Sequence, residues 1–296
     1  MDRRLTPATT RAAHISLRGR IDSPLFTEGQ TLRLTVPLAD LRRAPGGARE
    51  RQLLLGESFT VIDRDQGHAF GFAVKDGYCG WLEESALADT PQPTHWVASP
   101  ATHLYPEPRV QAPELSALSL GCRLSVLSAS GKWAETSQGF VPASHLRPLG
   151  DWLDDPVTVA EGLLGTPYLW GGNSRAGLDC SGLVQLAHAA CGIGLPGDSD
   201  LQESAGDELP EGAPLQRGDL LFWKGHVAMA TDPARLILVV GTEVPPPGGA
   251  RTDDHGDIPP TTPEAARATL QAHQAAFSAR AWAQVAGLVV QPGVEF

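Results

Sequence analysis

A chain of 296 residues, 42% hydrophobic and 19% charged, is long enough for one large or two to three small globular domains. A formal charge of -11 and a pI near 5.2 argue against a nucleic-acid surface, which needs clustered Lys and Arg. No apolar run reaches the roughly 18 residues of a membrane span, and the N-terminal MDRRLTPATTRAAHISLRG lacks the apolar stretch of a secretory leader, so a cytoplasmic chain without membrane or nucleic-acid partners is expected.

Residues 1–30 hold mixed polar and turn residues and are expected to form a short strand and a loop. Between residues 31 and 89, short runs rich in β-formers (Leu32 to Val36, Leu53 to Leu55, Phe59 to Ile62, Ala69 to Val74, Tyr78 to Leu82) are punctuated by PGG, GES and DG turns. Short strands at that spacing predict a small all-β barrel or sandwich. The pattern then recurs: Val36 to Leu41, Leu53 to Glu57 and Gly80 to Leu82 have counterparts in Val97 to Leu104, Leu118 to Gly121 and Gly139 to Val141, offset by about 60 residues. A second β unit over residues 93–148 is therefore expected.

After an acidic linker, Val157 to Leu164 reads as the first helix of a third domain spanning 157–244. Its centre is Thr166 to Ser199, where a glycine-rich run (Gly171, Gly172, Asn173, Ser174, Gly177) meets Asp179-Cys180-Ser181-Gly182 and an apolar, alanine-rich segment to Ala190. That junction predicts a loop opening a helix with Asp179 as its cap. Cys180 then sits at the positive end of the helix dipole, which favours thiolate over thiol. Cys79, Cys122 and Cys191 share no CxxC spacing and are expected to be small buried residues, with no metal site and no disulfide framework.

A sulfur nucleophile needs a base, and His226 supplies one: Gly218-Asp219 forms a turn, Leu220 to Trp223 an apolar strand, Gly225 a second turn, and His226 opens the next strand. The other histidines are poorer candidates. His188 stands two turns along the nucleophile's own helix and points away from its start. Beyond Val244, the Pro/Gly-rich residues 245–261 read as a linker, and Thr262-Pro263-Glu264 starts an alanine-rich helical segment over 262–296.

The runs TPYLWGG, DCSG and GDLLFW…GHVA, in this order and spacing, resemble the NlpC/P60 family of cell-wall cysteine peptidases. PGDSDLQ and the two upstream β units narrow the resemblance to its γ-D-glutamyl-L-diamino-acid endopeptidases, from about Thr6 to Ile237. The resemblance implies two bacterial SH3-like barrels followed by an α+β, papain-like catalytic domain. The substrate implied is a murein peptide with a free N-terminal L-alanine, cleaved before lysine or diaminopimelate during cell-wall recycling, without a metal or organic cofactor. It also implies roles: Cys180 as nucleophile, His226 as base, and Tyr168 beside the nucleophile, unless Tyr168 merely packs with Trp170 under the glycine loop. Asp179 and Ser181 line the subsite for the free amine, Ser199 holds the D-glutamyl group, and Glu57 and Tyr78 are the first barrel's candidates for the closed end of the groove.

One position departs from the family pattern. Twelve residues after His226, where family members commonly carry a polar residue that orients the imidazole, this chain has Leu238. Either Thr242, Glu243 or a bound water orients His226, or the site is poorly preorganised. The alternatives to an active peptidase are an impaired or inactive murein-peptide-binding protein, and an amidase or acyltransferase using the same Cys/His chemistry on lipids or polyamines.

Overall fold

The computed structural model describes residues 1–210, 213–239 and 287–290, which fall into two compact units. The first comprises Met1–Trp152 and Asn173–Arg175, and the second Leu153–Gly172 and the residues from Ala176 onward.

In the first unit, seven strands form one sheet in the spatial order Arg49–Leu54, Leu38–Arg42, Cys79–Glu83, His68–Ala73, Ser58–Asp65, Gln30–Leu34, Leu87–Ala88, every neighbour antiparallel. Alternation explains the core: Leu32 and Leu34, Phe59 and Val61, Ala69 and Ala73 point inward with Leu41, Leu53, Tyr78, Leu82 and Leu87. Ile62, Phe70 and Cys79 form a second cluster with Phe72 and Trp81. The strand Leu38–Arg42 was not expected from sequence, because Pro37 and Asp40 interrupt its apolar character. It forms because it pairs along Arg49–Leu54, which extends four residues before Leu53 through the charged run Arg49 to Arg51.

Residues 93–148 build three smaller sheets. His95–Val97 lies between Arg123–Leu124 and Leu146–Pro148, Ala101–Leu104 pairs with Ser116–Ser119, and Val126–Ser130, Trp133–Thr136 and Gly139–Pro142 form a meander. The sequence repeat has a physical counterpart. Cys79–Glu83 is followed by a 3-10 turn (Glu84–Ala86) and a short strand, and Gly139–Pro142 by the 3-10 turn Ala143–His145 and a short strand. Within this unit the Arg123 N–H donates to the Leu55 carbonyl at 2.8 Å and the Gln138 side chain to the Thr35 carbonyl at 3.3 Å. The first 30 residues add two 3-10 turns and the short parallel pair Ala13–His14 with Phe26–Thr27.

The second unit opens with α1 (Pro156–Gly162), whose sequence carries both start signals: Asp155 accepts the Val157 N–H at 3.0 Å and proline takes the first helical position. Arg217 ties this helix start to the strand region, donating to Asp155 and Glu161 and to the Thr231 carbonyl. Helix α2 (Cys180–Ala190) packs against α1 and against the strand His226–Asp232. The sheet runs in the order Leu220–Trp223, His226–Asp232, Arg235–Leu238, Gly287–Val290, the first two pairs antiparallel and the last parallel. Gly287–Val290 lies inside the segment expected to be helical. Its Leu-Val-Val run favours a strand, and the open edge of Arg235–Leu238 gives it a partner. The expected linker 245–261 and the helix start at Thr262 lie outside the described residues.

Gly71 marks the tightest point of the seven-stranded sheet: a Cβ there would stand 1.9 Å from the Thr60 carbonyl oxygen, which is backbone and cannot yield. Gly71→Ala is expected to destabilise the first unit by roughly 1–3 kcal/mol, the range for overpacking a close-packed site. Chemical unfolding of parent and variant chains measures it, and an unchanged midpoint would contradict it.

Candidate active site

The glycine-rich loop and the start of α2 are fastened together by one carboxylate. Asp179 caps the helix, its Oδ1 accepting the Gly182 N–H at 2.6 Å and the Ser181 hydroxyl at 3.0 Å, while Oδ2 accepts the Gly171 N–H at 2.9 Å. The expected cap is therefore present. The same group also closes the loop preceding Cys180, which a cap alone would not do. A Cβ on Gly172 would lie 2.5 Å from the Gly177 carbonyl oxygen, so the turn needs glycine for close approach of its own backbone.

Cys180 is the first residue of α2 and is buried. The eleven-residue helix that it opens supplies an N-terminal dipole that favours negative charge on its sulfur. The other thiols are poor nucleophiles. Burial pushes Cys79 and Cys122 up to about 12, and burial followed by the nearby Asp155 and Asp154 raises Cys191.

His226 opens its strand after a two-residue turn in which Gly225 adopts φ +75°, and it is paired in register with Trp223. The imidazole is 2% exposed, and among the described residues neither ring nitrogen has a hydrogen-bond partner. Burial lowers its pKa from 6.5 to about 4, so it is neutral at neutral pH and can accept a proton. Its nearest aromatic neighbour is Trp223, with ring centroids 4.8 Å apart and planes tilted by 40°. Leu238 is buried in the apolar cluster that Trp223 forms with Ala228, Ala230 and Leu236. The register Met229↔Ile237 sets Leu238 opposite Ala228, one step diagonally from His226. The position where the family pattern puts a partner for the imidazole thus holds a hydrocarbon. Thr242 and Glu243, the other expected partners, lie outside the described residues.

The remaining candidates separate. Tyr168 is half-buried in the loop and bridges Leu178, whereas Trp170, offered as its packing partner under that loop, is 41% exposed. Ser199 is half-buried and begins the short helix α3 (Ser199–Gln202). Glu57 and Tyr78 belong to the first unit. The Glu57 carboxylate accepts from the Leu54 N–H at 3.0 Å and from the Lys75 ammonium at 2.8 Å, and Tyr78 is part of the sheet's core. His188 donates from Nδ1 to the Val184 carbonyl on its own helix, consistent with a structural role. No group of His, Cys, Asp and Glu able to hold a metal occurs among the described residues.

Sequence reasoning passed over Gln202. This residue is 1% exposed, and its side-chain nitrogen donates to the Ser181 and Pro196 carbonyls, both at 3.0 Å, pinning the first turn of α2 to the PGDSD turn. The signal was present in the final position of PGDSDLQ, read there for its resemblance rather than for its chemistry.

A neutral buried histidine leaves a signature in stability. The unfolded chain protonates His226 near pH 6.5, whereas the folded chain resists until about pH 4, so the unfolded state binds the extra proton within that window. Stability contributed by the neutral imidazole is complete above pH 6.5 and is lost as pH falls towards 4, in total on the order of 3 kcal/mol. Unfolding of parent and His226→Leu chains at pH 7 and pH 4 measures it: the parent should lose more stability by about that amount, and equal losses would contradict a buried neutral imidazole.

Comparison with known protein families matches three regions: the bacterial dipeptidyl-peptidase SH3 domain over residues 41–87, the NlpC/P60 family over 165–243, and a D-tagatose-1,6-bisphosphate aldolase subunit GatZ/KbaZ-like family over 207–296. The chain is 30% identical over 222 residues to a gamma-D-glutamyl-L-lysine dipeptidyl-peptidase of Bacillus cereus (strain ATCC 10987 / NRS 248), covering 64% of this chain and 66% of that protein. It is 30% identical over 194 residues to the protein of the same name from Bacillus subtilis (strain 168), covering 59% and 64%. The matches thus span slightly less than two thirds of each relative. Among solved structures, an NlpC/P60 family protein from Bacillus cereus ATCC 10987 superposes with a TM-score of 0.60 at 24% identity, over 68% of this chain and 88% of that one.

Proposed function

The chain carries an NlpC/P60 domain behind a bacterial SH3 domain, and from that premise we propose that it is a cysteine peptidase acting on the bond between γ-D-glutamate and a diamino acid. The relatives named for a γ-D-glutamyl-L-lysine bond support lysine as one acceptable residue, with diaminopimelate as the other. On this reading residues 31–89 and 93–148 are SH3-like barrels, and the unit carrying Cys180 and His226 is papain-like. The substrates are murein peptides released during cell-wall recycling within the cell.

The observation that carries the proposal is Cys180 at the first position of a capped helix, in the same unit as a buried, neutral imidazole on a strand that this helix packs against. His226 takes the thiol proton, and the sulfur attacks the γ-glutamyl carbonyl. Backbone N–H groups of the helix's first turn stabilise the oxyanion, aided by the Tyr168 hydroxyl. His226 then gives its proton to the leaving amine. A water attacks the thioester, passing a proton through His226 back to sulfur and freeing the carboxylate product. Asp179 and Ser181 receive the free α-amine of L-alanine, and Ser199 the D-glutamyl α-carboxylate.

A second reading, a peptide-binding protein without turnover, is favoured by the hydrocarbon at Leu238 and by the overlap of another family's match with the NlpC/P60 match over residues 207–243. Incubating the purified chain with L-Ala-γ-D-Glu-L-Lys and its diaminopimelate counterpart separates the two. The peptidase reading expects release of the diamino acid, abolished by Cys180→Ala and slowed roughly ten- to a hundredfold when the alanine amine is acetylated. Binding without cleavage, not restored by Leu238→His, would establish the second reading instead.

A further inference from the structure

We infer that Trp223 is the positioning residue for His226, doing by aromatic packing what a hydrogen-bond partner does for other catalytic imidazoles. The inference rests on the reading of His226 as the base, and its grounds are geometric. Among the described residues no hydrogen bond reaches either nitrogen of this buried imidazole, so none of them fixes its ring plane by a directional bond. What remains is contact, and the strand register supplies it. Trp223 and His226 are direct partners across the antiparallel pair, so their side chains leave the sheet on the same face, one on each side of the tight Lys224-Gly225 turn. The rings meet at 4.8 Å between centroids with a 40° tilt, inside the range where aromatic pairs attract. Both are nearly enclosed, Trp223 at 7% and His226 at 2% exposure, so neither ring can swing into solvent.

Among the described residues the rest of that face offers the imidazole only hydrocarbon. Ala228, Ala230, Leu236 and Leu238 pack with Trp223 and are hydrocarbon throughout, and the alanines are too small to grip a ring. Removing the indole would open a cavity beside the imidazole and free it to turn. A residue in this role affects how often the base is correctly aimed, and so affects turnover rather than substrate affinity.

The test compares parent, Trp223→Phe and Trp223→Leu chains by NMR of isotope-labelled histidine, by steady-state cleavage of L-Ala-γ-D-Glu-L-Lys, and by thermal unfolding. The parent should show His226 ring protons shifted by the neighbouring indole current. Trp223→Phe should retain a shift and a kcat near the parent's. Trp223→Leu should lose the shift and lower kcat roughly ten- to a hundredfold with KM unchanged. Should the leucine variant fail to fold, Trp223→Met takes its place with the same expectation. The inference is overturned if the leucine or methionine variant keeps either the ring-proton shift or the parent's kcat, or if Trp223→Phe falls as far as they do. If the parent cleaves no peptide the peptidase reading fails by itself, and the ring-proton shifts still decide whether Trp223 holds His226.

Discussion

The chemistry proposed for Cys180 depends on the carboxylate of Asp179. One oxygen holds the Gly182 N–H and the Ser181 hydroxyl on the helix side, and the other holds the Gly171 N–H on the loop side. A loop made permissive by glycine would otherwise adopt many conformations, each placing Cys180 differently. The carboxylate removes that freedom where it matters. Gln202 adds a second restraint at the Ser181 carbonyl, so the first turn of α2 is tied to the sequence on both sides of it.

The opposite half of the site is built on another principle. Where Asp179 and Gln202 work through directed hydrogen bonds, His226 touches an indole that itself packs in a hydrocarbon cluster. Burial keeps the ring neutral, which suits a proton acceptor, but it provides no fixed direction for the proton. The Cys180 side is thus ordered by polar contacts and the His226 side by shape.

Much of this was legible in the sequence, for identifiable reasons. Asp179 before Cys180 is a capping residue before an apolar run, and Gly225 before His226 is a turn residue before a strand; both are local signals, and both elements form where expected. The tandem repeat showed itself in recurring runs such as Gly80 to Leu82 and Gly139 to Val141, and the strands Cys79–Glu83 and Gly139–Pro142 are each followed by a 3-10 turn and a short strand. Leu38–Arg42 was hidden because its strand character comes from pairing with Arg49–Leu54, a tertiary effect that propensity does not carry. Gln202 and Trp223 were hidden for a related reason: an amide is defined by the carbonyls it reaches, and an aromatic by the ring across from it, and neither is visible one residue at a time. The surroundings of Glu57 and Tyr78 were equally unreadable, since the ion pair with Lys75 and the core around the tyrosine exist only in the folded sheet. Leu238 was legible as an anomaly, and the register explains its consequence by setting it one diagonal step from the imidazole.

The central claim is that Cys180 alone among the four cysteines is an activated nucleophile, and the chain contains its own controls. The direct measurement is competitive alkylation by iodoacetamide at pH 7, each cysteine followed by mass spectrometry in parent and His226→Ala chains. The account predicts that Cys180 is labelled first although it is more buried than Cys191, that Cys79 and Cys122 are labelled last, and that His226→Ala brings Cys180 down to the rate of Cys191. Labelling of Cys191 ahead of Cys180 in the parent chain would contradict the account.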